Sequence, residues 1–172
     1  MVNHGYEIQT TADFFRKLLD EREDFLKNPT SSRHAINCAL TGWHIYEWVY
    51  TEYRSHPFIQ QFKKAKKFED WLLDKHMEFK LIRDLADGSK HFHLGRPDKS
   101  ILGTHIKRKG ELYGSRPFAE DTLIIQMKFM NGAWMSFDDL FYWVTIFWYE
   151  FLKRELGIDT SRIMVDGNYT FF

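Results

Sequence analysis

Apolar residues recur at three- and four-residue steps through most of this chain, and the period lapses only between about residues 101 and 136. Four long helices follow from that pattern. Thr10 or Thr11 caps the first, which runs to about Lys27 with Phe14, Phe15, Leu18, Leu19 and Phe25 on its apolar side. Pro29 disfavours helical geometry in the residue before it and ends this segment. Ser31 or Ser32 caps the second helix, which reaches about Arg54 before Ser55-His56-Pro57 breaks the chain. The third reads as one continuous helix from Phe68 to about Phe92, with Phe68, Leu72, Phe79, Ile82, Ala86 and Ser89 on one face. Ser136 caps the last, Phe137 to about Leu156, which Gly157 stops.

Between the third and last helices, Thr122 to Phe129 reads as a strand, and Asn131-Gly132 as a two-residue hairpin turn into Ala133-Trp134-Met135. A strand around Gly103 to Lys107 completes a small sheet. The fold expected is mainly α: a bundle of four main helices with a small antiparallel β-hairpin insert, about residues 101–136, before the last helix. No repeat or linker divides the chain, so residues 1–172 form a single domain with a C-terminal tail over 159–172.

Composition sharpens this picture at three points. Aromatic residues make up 17% of the chain, which implies a thick aromatic core, an apolar contact surface, or both. Lys plus Arg and Asp plus Glu balance at 24 each, so no global field draws the chain to nucleic acid. The local cluster Lys63, Lys64, Lys66 and Lys67 reads first as a solvated loop. Cys38 is the single cysteine, so it forms no internal disulfide, and a buried helical position makes it a small apolar residue rather than a nucleophile. The segment Met1 to Gly5 lacks the features of a secretory leader, and the longest apolar run, Phe141 to Leu152, is too short to span a bilayer. A cytoplasmic protein with no membrane partner and no cofactor is the expectation.

The candidate chemistry lies on two helices. On the second, Asn37, Thr41, His44 and Glu47 fall at steps of four, three and three, a polar stripe in an otherwise apolar segment. Each such group costs about 1–3 kcal/mol if buried without a partner, so partners are required. Gly42, in the same turn, points to the close approach of another backbone. On the third helix, Arg83, Asp87 and His91 are spaced by four and four, flanked by Asp84 and Lys90. Antiparallel packing of the two helices brings His44 and Glu47 toward Arg83, Asp87 and His91. Two chemistries use such a cluster. One is metal-free RNA cleavage, with His as general acid or base and Arg stabilising the charged phosphorane. The other is a metal site built from His44 with Glu47 and His91 with Asp87. The plain reading is a hydrogen-bonded core pair at His44 and Glu47 and an ordinary helical ion pair at Arg83 and Asp87.

The run from Ala35 to Ala39, with Trp43-His44 and Glu47-Trp48-Val49, resembles a helix of uncharacterised bacterial proteins. The segment Arg83-Asp84-Leu85-Ala86-Asp87-Gly88-Ser89-Lys90-His91 resembles the same group's Arg-Asp-x-Ala-Asn-x-x-Lys-His motif. More distantly, the arrangement is similar to the HEPN superfamily, helical bundles that include metal-independent RNases of toxin and defence systems. Their motif places four to six residues between Arg and His; seven residues separate Arg83 from His91 here, one more than the motif allows, while the spacing of four keeps Arg83, Asp87 and His91 aligned. The resemblance implies Arg83 and His91 as catalytic residues, with Glu47 as acidic partner and His44 as a further orienting group. It also implies RNA as substrate, with Asn37, Thr41, Asp87 and Lys90 as contacts, and a homodimer. Toxin–antitoxin or phage-defence systems are the implied setting. A non-enzymatic module that pairs through an aromatic surface with a second copy or another protein is the rival reading, and a carboxylate/histidine metal protein is the third.

Overall fold

The computed structural model describes residues 7–90, 101–108, 123–129 and 132–160. Six helices and three strands appear there: α1 (Thr11–Lys27), α2 (Ser32–Glu52), α3 (Pro57–Gln60), α4 (Ala65–Lys75), α5 (Met77–Lys90), β1 (Ile101–Arg108), β2 (Leu123–Phe129), β3 (Trp134–Ser136) and α6 (Phe137–Glu150). A π-helical turn, Phe151–Glu155, extends α6. The protein is mainly helical, with one small antiparallel sheet.

Local chemistry sets the helix starts. Thr10 forms a capping box with Asp13, accepting the Asp13 N–H at 3.1 Å while its own N–H donates to the Asp13 carboxylate at 2.9 Å. Ser31 caps α2 through the His34 N–H, and Ser136 caps α6 through the Asp139 N–H at 3.0 Å. At the far end, Gly157 adopts φ 65°, and the Ile158 N–H returns to the Leu152 carbonyl.

Three expectations need correction. The single helix read across Phe68 to Phe92 is two helices, because His76 is extended (φ −132°, ψ 108°) and separates α4 from α5. Tertiary packing holds that break: the His76 ring meets Trp71, Phe79 and Phe147, with the Phe147 centroid at 4.5 Å. Apolar spacing is blind to one extended residue that leaves both flanking faces directed at the core. The sheet has three strands in the order β1-β2-β3, both pairings antiparallel, with a register slip between Ile101 and Gly103. Its second connection, from Phe129 to Trp134, leaves four residues between the strand ends rather than two. The Phe129 N–H donates to the Ala133 carbonyl, and the Gly132 N–H donates to the Phe129 carbonyl. Gly132 carries the left-handed conformation (φ 83°) that closes such a turn. The segment after Pro57 also forms a short helix, α3, where the sequence pattern showed only a break.

The core is aromatic. Phe15, Phe25, Phe68, Phe79, Phe141 and Trp148 are all fully buried, joined by Leu18, Leu19, Ile45, Leu72 and Ile82. Trp148 lies at its centre, edge-on to Phe79 and Phe151. α2 packs on α1, α5, α4 and α6, so it is the helix around which the others assemble.

Candidate functional site

The polar stripe of α2 does not act as one unit. Thr41 is buried, and its hydroxyl accepts a hydrogen bond from Lys17 Nζ at 2.6 Å; that ammonium also holds Glu21 at 2.8 Å. Thr41 is thus a tie between α1 and α2. Asn37 is half-buried on the preceding turn. His44 and Glu47 do come together, with His44 Nδ1 3.6 Å from Glu47 Oε1. Glu47 is 54% exposed and His44 29%, so this is a surface pair open to solvent and not the buried core pair of the plain reading.

Tyr46 completes the group. Its hydroxyl donates to Glu47 Oε1 at 3.1 Å, so one carboxylate oxygen faces both a phenol and an imidazole. Burial pushes the Tyr46 phenol well above its usual pKa, and the charges of Glu69, Glu47 and Asp87 push the same way. The phenol therefore stays protonated and acts as a donor. Tyr46 also links the α2 site electrostatically to α4 through Glu69 and to α5 through Asp87. Beside the pair lies an open hollow of about 510 Å3, lined by Gln9, Glu47, Trp48, Thr51 and Glu52. Glu52 accepts the first backbone N–H of α1, from Thr11, at 2.5 Å. Two carboxylates, Glu47 and Glu52, thus stand on its wall.

α5 keeps Arg83 and Asp87 one turn apart and continues unbroken to Lys90. Arg83 Nη2 lies 3.6 Å from Asp84 Oδ1, with the Arg83 side chain 13% exposed and that of Asp84 fully covered. A guanidinium beside a buried carboxylate is held close to it by charge. Asp87 is half-buried. His91 lies outside the described residues, so the third member of the Arg83-Asp87-His91 line has no place in this geometry.

Contact between α2 and α5 runs through Gly42, where an added Cβ would stand 2.8 Å from Ile82 Cδ1 and 3.1 Å from Val144 Cγ1 of α6. The neighbours that require glycine are side chains rather than a second backbone. Cys38 is buried without exposure, and burial holds its thiol far above its usual pKa, as befits an inert core residue. Lys66 and Lys67 pair with Glu69 and Asp70 on α4. Among the described residues, no three His, Cys, Asp or Glu side chains converge to hold a metal ion, and no helix is long and apolar enough to cross a membrane.

Two residues of the site were not singled out by spacing. Tyr46 reads as one more apolar position of α2, and its polar role depends on the carboxylate beside it in sequence. Asp84 lies roughly opposite Phe79, Ile82 and Ala86 on the helix, the side that amphipathic reasoning assigns to solvent, and it is nonetheless buried. No family model matches this chain, and neither the curated proteins nor the solved structures hold a significant match to it.

Proposed function

We propose that this chain is a HEPN-like protein that binds and cleaves RNA without a metal, as a component of a bacterial stress or phage-defence system. The observation that carries the reading is the α5 line: Arg83 fixed beside Asp84, Asp87 one turn on, and the helix running to Lys90, directly before His91. Arg83 stabilises the pentacovalent phosphate, and His91 transfers the proton to or from the ribose oxygen. Glu47 orients His44, and Tyr46 holds the Glu47 carboxylate. Asp87 and Lys90 flank the bound strand, with Asn37 at its margin. The active form is a homodimer that pairs two such sites.

The test is cleavage of a mixed RNA panel by purified protein and its His91→Ala variant, each with and without EDTA. Cleavage that survives EDTA and is lost in the variant is the expected result. Cleavage abolished by EDTA, or retained by the variant, removes this mechanism.

A second reading has its own support. Trp143 of α6 is 56% exposed, an unusual position for so large an apolar side chain. In that reading the polar groups only set helix geometry, and the aromatic surplus forms a contact surface for a second copy or another protein. Absence of RNA cleavage under every condition, together with self-association lost on Trp143→Ser, favours it.

A further inference from the structure

On the far end of α6 a second recess opens, with a volume of about 400 Å3. Its wall is a continuous set of rings: Phe58, Trp71, His76, Phe147 and Phe151, with Trp143 at the edge. Phe58 meets Trp71 at 5.5 Å and Phe151 at 5.3 Å between centroids, and Phe151 stacks on Phe147 at 5.7 Å. Each ring is braced by its neighbours, so the wall is preformed.

The rim is acidic. Glu78, Glu150 and Glu155 line the recess against a single guanidinium, Arg154, and that guanidinium is already bound to Glu150. Glu78 sits 3.4 Å from His76 Nδ1. The π-helical turn Phe151–Glu155 supplies Phe151, Arg154 and Glu155 to this recess. Such turns cost helix hydrogen-bond geometry and cluster where side chains must be re-aimed for function.

Aromatic faces and excess negative charge select one ligand chemistry. The π-clouds and the carboxylates both attract a cation. A primary ammonium gives up strong hydration for a wall that is mostly rings, with Glu150 already engaged by Arg154 and Glu78 beside His76, whereas a methylated ammonium is weakly hydrated and spreads its charge over methyl groups that pack on ring faces. An anion is repelled by the rim, and a neutral apolar group gains nothing from it. We infer that this recess binds a methylated ammonium group, presented either by a free small molecule or by a methylated lysine of another protein. The site is separate from the α2–α5 cluster and does not depend on the nuclease reading.

Isothermal titration of the full chain with choline, with a trimethyllysine peptide and with the neutral choline isostere 3,3-dimethylbutan-1-ol tests the assignment. Choline or the peptide should bind at least about tenfold more tightly than the isostere, in line with the cation–π contribution. Tighter binding by the peptide identifies a protein-borne ligand, and equal or tighter binding by choline a free one. Trp143→Leu and Glu155→Gln alter exposed side chains and leave the core intact, and each should weaken choline or peptide binding severalfold without changing the melting temperature. Equal affinity for choline and the isostere, no binding of either cation at about 10 mM, or variants that bind like the parent would each overturn the proposal.

Discussion

The indole Nε1–H of Trp148 donates to the backbone carbonyl of Gly42 at 2.9 Å, joining α6 to α2 across 106 positions of chain at a fully buried point. The bond explains why a tryptophan occupies the middle of the core: its one polar atom has an acceptor there. Trp148→Phe removes the bond and leaves a void where the larger ring stood. A loss of about 2–3 kcal/mol is expected, the sum of a hydrogen bond near 1 kcal/mol and a partial cavity. Urea denaturation measures it, and a loss under about 0.5 kcal/mol would show that neither effect operates.

Gly42 faces three side chains at once. A methyl group there would stand 2.8 Å from Ile82 Cδ1, 3.1 Å from Val144 Cγ1 and 3.4 Å from Leu18 Cδ1. All three neighbours are fully buried, so none has free space to swing into. Gly42→Ala gains about 1 kcal/mol of helix propensity and incurs about 1–3 kcal/mol of overpacking. The expected net result is a destabilisation of about 1 kcal/mol, against the stabilisation that the same change brings at an exposed helical glycine. A higher melting temperature in the variant would mean that the three helices can separate at little cost.

Legibility in the sequence followed the range of the interactions. Thr10, Ser31 and Ser136 were readable as caps because a cap is made within four residues. The buried faces of α1 and α6 were readable because each is a repeat of apolar positions. His76 was not, because its extended conformation is held in part by Phe147 of α6, 71 positions away and outside any local window, alongside the nearby Trp71 and Phe79. Thr41 and Glu47 share a stripe on a helical wheel, yet Lys17 of α1 takes the first and Tyr46 the second. Spacing identifies which polar residues need partners; only the neighbouring helices decide which partners they get. His44 with Glu47 is a pairing that spacing brought out and that the fold contains.

Substitutions at Arg83 separate its part in the fold from the part proposed for it in RNA cleavage. Arg83→Ala withdraws a positive charge from beside a carboxylate that has no exposure, and a cost of about 3 kcal/mol follows. Arg83→Lys restores a point charge but not the planar fork, so it recovers much of the stability and little of any phosphate recognition. The expected pattern is a variant that melts near the parent and cleaves RNA poorly. Full cleavage by Arg83→Lys would assign the residue to the fold alone.

Alkaline stability reports on Tyr46 and Tyr53. Burial, with the Glu52 charge and the hydrogen bond that Tyr53 donates to it, pushes the Tyr53 phenol up to about 12. Burial and neighbouring carboxylates raise Tyr46 further still. In the unfolded chain both phenols lose their protons near pH 10. Above that point the folded state binds more protons than the unfolded state, so stability falls as pH rises. Their contribution is complete below about pH 10 and drains away through the folded pKa of Tyr53 near 12. Tyr46→Phe also removes the bond to Glu47, a loss of about 1 kcal/mol or less at neutral pH, since the exposed carboxylate is taken up by water. Unfolding free energies of the parent and of the Tyr46→Phe/Tyr53→Phe double variant, measured by urea from about pH 9 to 11.5, should converge as pH rises. Parallel curves would mean that neither phenol is held protonated by the fold.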